Sequence, residues 1–163
     1  MNDSPENPEV EEDRGALVAS RRDKLRKLSE RGIDPWGGRF DDRTWIRDIR
    51  AATDEIKFRT EDGTEVSLPD IESLTADGER FDMRQWRSEQ GPGEEIGPQV
   101  RAAGRIHLQR DKGKLRFIDI QDWTGRIQIF VGQRQVGEDD FELAGLFDLG
   151  DLIGVDGRLG RTN

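Results

Sequence analysis

The most distinctive chemical feature of this sequence is one aromatic residue that has many arginines and lysines near it in the chain. Phe117 lies in the segment KLRFIDIQD, and the surrounding stretch from Val100 to Val131 is rich in arginine and lysine. A flat apolar ring can stack on a nucleobase and cations hold phosphates, so this combination is typical of binding to single-stranded nucleic acid. The cations concerned are Arg105, Arg110, Lys112, Lys114, Arg116 and Arg126.

Three strands are predicted to position this ring and these cations. The segments VRAAGRIHLQR, KLRFIDIQD and RIQIFV each alternate apolar and polar residues, and turns with Gly113 and Gly125 separate them. Period-two alternation is typical of strands with one buried face, so we expect a curved antiparallel sheet that forms the front of a small barrel. The apolar face of the first strand consists of Val100, Ala102, Gly104, Ile106 and Leu108.

A helix and a fourth strand are predicted to follow. From Glu138 to Phe147 apolar residues recur at helical spacing, and the run LIGVDGRLGR then predicts a strand. The core candidates of the helix are Phe141, Leu143, Leu146 and Phe147. Because a fifth strand normally closes such a barrel, we expect the edge of the Val100 to Gln109 strand to be open or otherwise covered. We also expect the chain to be less stable than one extended by about 30 residues.

A second basic segment precedes the barrel. Good helix formers dominate residues 15–31, their leucines fall on one stripe, and Gly32 is suited to end the helix. The stripe consists of Leu17, Leu25 and Leu28, and the cations of the remaining surface include Arg21, Arg22, Lys24 and Arg26. Two interpretations remain open: a solvated helix docked by its leucines, or a helix whose basic face also contacts a nucleic-acid backbone.

The sequence predicts four regions. Residues 1–13, with six acids and no base, indicate a disordered acidic tail. Residues 14–58 are predicted as a helical region with a second helix at 44–58. Residues 59–98 are interpreted as a mobile insertion or linker that begins with a hairpin turn at Asp62-Gly63, and residues 99–163 as the barrel domain.

The net charge of -9 does not oppose a nucleic-acid partner, because binding follows local potential rather than total charge. Residues 14–31 carry seven bases and two acids, and residues 99–133 carry seven bases and three acids. Cysteine is absent, which excludes disulfides, thiolate metal sites and cysteine nucleophiles. No apolar run is long enough for a signal peptide or a membrane span, so we expect a cytoplasmic protein without a membrane partner.

Three separated motifs occur in a recognisable order. They are RRDKLRKLSERGIDPW from Arg21 to Trp36, VRAAGRIHLQRDKGKLRFIDIQDWTGRIQIFV from Val100, and DLGDLIGVDGRLGRT from Asp148. Together they resemble the N-terminal anticodon-binding region of class II lysyl-tRNA synthetases. The aspartyl and asparaginyl branch shares the strand pair, and the helix motif favours the lysyl branch. Trp36 in place of the usual tyrosine, and the long connection from Phe40 to Val100, depart from the family pattern.

The resemblance implies a mainly β OB-fold, a Greek-key barrel with flanking helices, that recognises the anticodon of lysine-accepting tRNA. It implies that Phe117 stacks on the central uridine while Arg110 and Gln128 hydrogen-bond the edge of this base. A guanidinium and a carboxamide together can satisfy the two carbonyls and one N–H of uracil. The expected phosphate contacts are Lys112, Lys114, Arg105, Arg116 and Arg126, and the expected tRNA-facing helix residues are Arg21, Arg22, Lys24 and Arg26.

The same resemblance implies what a full-length family member does. It is a homodimeric lysine-tRNA ligase of protein biosynthesis, and its catalytic domain uses ATP and Mg. We find no counterpart of that catalytic domain in this sequence, so we expect no catalytic residue, metal site or cofactor in the chain. Whether a chain of this length is itself a dimer stays open.

Ordinary structural roles remain open for the same side chains. Phe117 could be a core aromatic, and Gln128 an exposed strand residue. His107, the single histidine, is expected at the surface of a strand. Asp119 and Asp122 are expected to cap turns or to pair with cations rather than to bind a metal.

Two other functions remain open besides anticodon recognition. One is a free-standing OB module that binds single-stranded RNA or DNA without sequence preference. The other is a protein-interaction scaffold that uses the acidic insertion. Selectivity for the central uridine separates anticodon recognition from the first alternative, and absence of RNA binding at low salt favours the second.

Overall fold

The computed structural model describes residues 8–69 and 81–161 of the 163-residue chain. These residues divide into two compact units. The first unit comprises the residues up to Arg39, together with Arg105–Asp119 and Gln128–Leu152, and the second comprises Phe40–Gly104, Ile120–Ile127 and the residues from Ile153 onward. Among the described helices, none is long and apolar enough to cross a membrane.

Helix α1 spans Pro8–Glu30 and ends as the sequence predicts. Gly32 has a φ of 74°, and the N–H of Ile33 donates to the carbonyl of Leu28 at 3.0 Å, which is the bonding pattern of a left-handed helix terminus. The helix begins earlier than expected, so residues 8–13 of the predicted tail are helical, whereas residues 1–7 lie outside the described residues. Leu17 is 66% exposed, so the predicted leucine stripe is not buried at that end.

Four strands form the antiparallel sheet that the alternation predicts. They are β4 (Gln99–Lys112), β5 (Leu115–Gln121), β6 (Arg126–Gly132) and β7 (Leu152–Arg158), in the order β6-β5-β4-β7. Of the two alternatives for the β4 edge, open or otherwise covered, the structure shows a covered edge, because β7 lies beside β4. Alternation within one strand does not reveal its partner, which is why the sequence left this pairing undetermined.

The first unit buries a small core beneath this sheet. Ile106 and Ile118 are fully buried, and Phe141 and Ala144 are buried on helix α5 (Glu138–Ala144). A short helix α4 (Gln133–Val136), which the alternation did not predict, connects β6 to α5. Leu108 is 43% exposed, so the apolar face predicted for β4 does not extend past Ile106.

The second unit contains a separate three-stranded sheet. Its strands are β1 (Lys57–Thr60), β2 (Glu65–Ser67) and β3 (Gly93–Ile96), ordered β2-β1-β3 with antiparallel pairing on both sides of β1. The predicted hairpin turn is confirmed, since Gly63 has a φ of 89° and the N–H of Gly63 donates to the carbonyl of Thr60. Hydrogen bonds from Thr60 and Thr64 hold the pKa of Asp62 in this turn below its ordinary value.

This sheet changes the interpretation of residues 59–98 as a mobile insertion. Helix α3 (Met83–Gln90) precedes β3, the Phe58 ring packs edge-on against Trp86, and the described part of the segment therefore carries regular structure. The sequence did not indicate it because β3 reads GEEI, a short acidic strand without alternation, and its partner β1 lies far away in the chain. Residues 70–80 lie outside the described residues.

The start of the second helix depends on one carboxylate. Helix α2 spans Ile46–Ala51 and a 3-10 turn continues to Glu55, whereas a helix was predicted to Phe58. The N–H of Ile46 donates to Asp122 Oδ2 at 3.0 Å, and Thr124 and Gly125 donate to the other oxygen. Asp122 therefore joins the β5–β6 turn to the first turn of α2, whose N–H groups lack helical partners.

Burial raises the pKa of Asp122, but the hydrogen bonds from Thr124, Ile46 and Gly125 outweigh this effect, so the pKa lies below its ordinary value of 3.8. A carboxylate whose pKa is lowered by folding stabilises the folded state above its unfolded pKa. That stabilisation is lost as the pH falls through the folded pKa.

We expect Asp122→Asn to lower the free energy of unfolding by about 1 to 3 kcal/mol at neutral pH, because an amide cannot accept the same set of bonds. The difference from the wild type should shrink as the pH falls below 3.8, where the wild-type carboxylate becomes protonated. Urea unfolding of both proteins along a pH series measures this. A stability difference that stays constant down to acidic pH would contradict the role given to the carboxylate.

Candidate nucleic-acid interface

The alternation of β5 sets the direction of Phe117. Ile118 is 1% exposed and belongs to the core, whereas its neighbours Phe117 and Asp119 are half-buried. Successive side chains of a strand point to opposite faces, so Phe117 and Asp119 lie on the face away from Ile118. This geometry does not support the alternative of Phe117 as a core aromatic.

A second aromatic ring extends the surface at Phe117. The Phe130 ring of β6 is 47% exposed and meets Phe117 edge-on, with 5.5 Å between the ring centroids. Phe130 was not among the site residues predicted from the sequence. The signal was present in RIQIFV, where Phe130 alternates with the two isoleucines and therefore shares a face with Gln128.

Arg110 and Gln128 lie beside these rings. The guanidinium carbon of Arg110 is 5.9 Å from the centroid of Phe117, near the outer limit for a cation–π contact, and the Arg110 side chain is exposed. The side-chain nitrogen Nε2 of Gln128 donates to Asp119 Oδ1 at 2.8 Å. The structure thus brings an aromatic ring, a guanidinium and a carboxamide together on one face of the first unit.

Two of the predicted phosphate contacts lie on the hairpin next to this face. Lys112 and Lys114 are exposed on either side of Gly113, whose φ of 58° forms the turn. Arg105 is exposed as well, and its guanidinium donates to the carbonyl of Gly150 at 2.6 Å. Arg126 belongs to the second unit, where its Nε donates to the side chain of Gln121 at 2.6 Å.

Arg116 differs from the other predicted phosphate contacts. Its side chain is 16% exposed, its guanidinium lies 4.6 Å from the Phe141 ring centroid, and it forms an ion pair of 2.5 Å with Asp111. Alternation explains the difference, since Arg116 shares its face of β5 with Ile118 rather than with Phe117. We therefore leave Arg116 out of the interface.

The four cations predicted on α1 differ in whether they form ion pairs with acidic side chains. Lys24 forms an ion pair of 2.5 Å with Asp148, and Arg26 pairs with Asp23 and Glu30 on its own helix. Hydrogen bonds from Lys27 and Arg26 hold the pKa of Asp23 below its ordinary value. Arg21 and Arg22 are exposed to solvent, so they are better placed than Lys24 and Arg26 to contact a partner.

The remaining polar candidates have structural roles or are exposed. Asp122 caps α2 as described above, Asp119 accepts from Gln128, and His107 is exposed on β4. Within residues 8–69 and 81–161, no cluster of three or more histidine, aspartate or glutamate side chains is arranged to hold a metal ion.

One known protein family matches the C-terminal part of the chain. Residues 100–163 match the tRNA anticodon family, described as an OB-fold nucleic acid binding domain. Together with the four-stranded antiparallel sheet, this match identifies residues 100–163 as an OB-fold domain.

Proteins named lysine–tRNA ligase are similar to this chain over most of its length. The chain is 36% identical over 143 residues to a lysine–tRNA ligase of Bacillus cereus strain B4264, covering 88% of this chain and 22% of that protein. It is 34% identical over 143 residues to the lysine–tRNA ligase of Staphylococcus aureus strain N315, covering 23% of that protein. The chain is therefore homologous to part of the lysine–tRNA ligases and spans about a fifth of their length.

A solved structure is also similar in sequence. The asparaginyl-tRNA synthetase from Pyrococcus horikoshii, complexed with asparaginyl-adenylate, is 35% identical, and the match covers 39% of this chain and 14% of that chain. The TM-score of this match is 0.37.

The opposite directions of Phe117 and Ile118 predict different effects on stability. We expect Ile118→Ala to lower the free energy of unfolding by about 2 to 5 kcal/mol, because it empties a buried site. We expect Phe117→Ala to cost less than Ile118→Ala, because the Phe117 ring is only partly buried and its removal leaves no enclosed cavity. Urea denaturation of both variants measures the difference, and an equal loss of stability in the two would place Phe117 in the core.

Proposed function

We propose that this chain recognises the anticodon of a lysine-accepting tRNA through the outer face of its OB-fold domain. The observation that carries the proposal is the grouping of Phe117, Arg110 and Gln128 on one face of the first unit. A stacking ring beside hydrogen-bonding groups suits an unstacked base in a loop, which is how proteins read RNA sequence. The homology to lysine–tRNA ligases supports tRNA as the RNA.

The central uridine of the lysine anticodon fits these three side chains chemically. Phe117 offers its ring to the base, and Phe130 bounds that ring edge-on. Uracil presents two carbonyl oxygens and one N–H on its pairing edge. The Arg110 guanidinium donates to a carbonyl oxygen, and the Gln128 carboxamide supplies the acceptor for the N–H.

The exposed cations act on the phosphates of the same loop. Lys112 and Lys114 lie on the hairpin that adjoins the base-reading face, and Arg105 adds a third exposed charge in the first unit. Arg21 and Arg22 on α1 give a second basic surface for the tRNA backbone. These contacts add affinity for any loop, whereas the base-reading face selects the sequence.

The activity of the whole protein is part of the same proposal. The chain is homologous to proteins named lysine–tRNA ligase, of which it spans about a fifth. We propose that it serves such a ligase as the tRNA-reading region, in the cytoplasm and in a homodimer. The ATP-dependent attachment of lysine would be performed by the catalytic region of that ligase.

We expect Phe117→Ala to weaken binding of the lysine anticodon stem-loop by about 1 to 3 kcal/mol, the value of one stacked base. Fluorescence anisotropy with a labelled stem-loop at low salt measures the dissociation constant. Trp123→Ala is the matched control, because Trp123 is an aromatic side chain that is 86% exposed and lies in the second unit. Normal binding by Phe117→Ala, or an equal loss in the control, would refute the stacking role.

Lys112→Ala and Lys114→Ala should weaken the binding of all loops equally. Each should also reduce the slope of log affinity against log salt by about 0.7, the value for one phosphate contact on a single strand. A salt titration of each variant measures this slope. Lys57→Ala serves as the control, since Lys57 is paired with Glu65 in the second unit and should leave the slope unchanged. An unchanged slope in both hairpin variants would exclude these lysines as phosphate contacts.

A further inference from the structure

The hydrogen bond between Gln128 and Asp119 fixes the orientation of the Gln128 side-chain amide as well as its position. A carboxamide has a donating end and an accepting end that are nearly equal in shape. An ionised carboxylate can only accept, so the NH2 end of Gln128 must face Asp119, as the 2.8 Å contact from Nε2 to Oδ1 shows. The carbonyl oxygen of Gln128 is then held at the other end of the amide.

We propose that Asp119 is a positioning residue that makes the site select uracil over cytosine by holding the Gln128 carboxamide in one orientation. This inference rests on the proposed function, since it requires a base to meet Gln128. It assigns specificity to a side chain that need not contact the base.

Uracil and cytosine differ at ring position N3, and this difference is what a carboxamide held in one orientation can distinguish. Uracil carries a hydrogen at N3 and donates it, whereas N3 of cytosine has a lone pair and accepts. With the NH2 end of Gln128 bound to Asp119, its carbonyl oxygen can accept the N3–H of uracil. The second N–H of the same amide remains available for a carbonyl oxygen of the base.

Cytosine would require the opposite orientation of the amide. To donate to N3 of cytosine, the Gln128 carboxamide must rotate by half a turn, and its carbonyl oxygen then faces the carboxylate of Asp119. Two acceptors in contact gain no hydrogen bond, and the bond present in the free protein is lost. Cytosine therefore binds with one hydrogen bond fewer than uracil, which costs about tenfold in affinity at about 1.4 kcal/mol per factor of ten.

The surroundings of Asp119 favour this role. The side chain lies half-buried on the outer face of β5, the same face as Phe117. Among the residues that the structure describes, no lysine or arginine nitrogen lies within salt-bridge distance of its carboxylate. Within residues 8–69 and 81–161, the observed partner of the carboxylate is therefore the amide of Gln128 rather than a cation.

The test replaces the carboxylate by groups that accept or donate. In Asp119→Asn and Asp119→Ser, the new side chain can bond either end of the Gln128 amide, so both orientations become possible. Dissociation constants are measured for two anticodon stem-loops that differ only in uridine or cytidine at the central position. Asp111→Asn is the matched control, because it removes the same charge from an exposed carboxylate that pairs with Arg116.

We expect the preference of the wild type for uridine to fall by about tenfold in both Asp119 variants, chiefly because the cytidine loop binds more tightly than before. The Asp111→Asn control should keep the wild-type preference. A merely structural role for Asp119 would instead weaken both loops together and lower the thermal midpoint.

Each other outcome overturns a distinct part of the account. If the wild type prefers uridine and the Asp119 variants keep that preference, or lose affinity for both loops equally, Asp119 does not orient Gln128. If the wild type binds neither loop, or binds both equally, the proposed function fails and this inference fails with it. If Gln128→Ala keeps the preference of the wild type, the glutamine does not read the base, and Asp119 cannot act through it.

Discussion

The burial of isoleucine on one face of β5 is the constraint on which the candidate site depends. Ile118 and Ile120 are at most 1% exposed, and the pleat of the strand then directs Phe117 and Asp119 to the opposite face. A shift of the strand by one residue would exchange these two sets. The hydrophobic core therefore holds the stacking ring and the carboxylate in place, and Asp119 in turn orients Gln128 from the neighbouring strand.

The electrostatic character of the chain follows from location rather than total charge. The net charge is -9, yet residues 99–133 carry seven bases and three acids. Part of that positive charge is used internally, since Arg116 pairs with Asp111 and packs on Phe141. The exposed hairpin lysines and Arg110 leave a local basic surface around the rings, which is what binding to a phosphate backbone requires.

Features set by neighbouring residues could be predicted from the sequence. The helix end at Gly32, the hairpin at Gly63 and the outward direction of Phe117 each follow from local backbone preference or from strand alternation. The same alternation, applied strictly, would also have placed Arg116 on the core face of β5 and Phe130 on the outer face of β6.

Features set by distant contacts could not be predicted in this way. The β1–β3 pairing and the position of β7 beside β4 join segments far apart in the chain, and no local pattern specifies such partners. The bond from Gln128 to Asp119 belongs to the same class, because it crosses two strands whose register the sequence does not give. The sequence could name candidate residues, but only the packed sheet shows which of them share a face.

The most direct test of the central claim is an NMR titration of the 15N-labelled chain with a lysine anticodon stem-loop. We expect the largest chemical-shift changes on the outer-face residues Arg110, Phe117 and Gln128, and on the hairpin lysines beside them. Changes confined to the β1–β2–β3 sheet of the second unit, or no change at low salt, would contradict the claim that this face of the OB-fold reads the base.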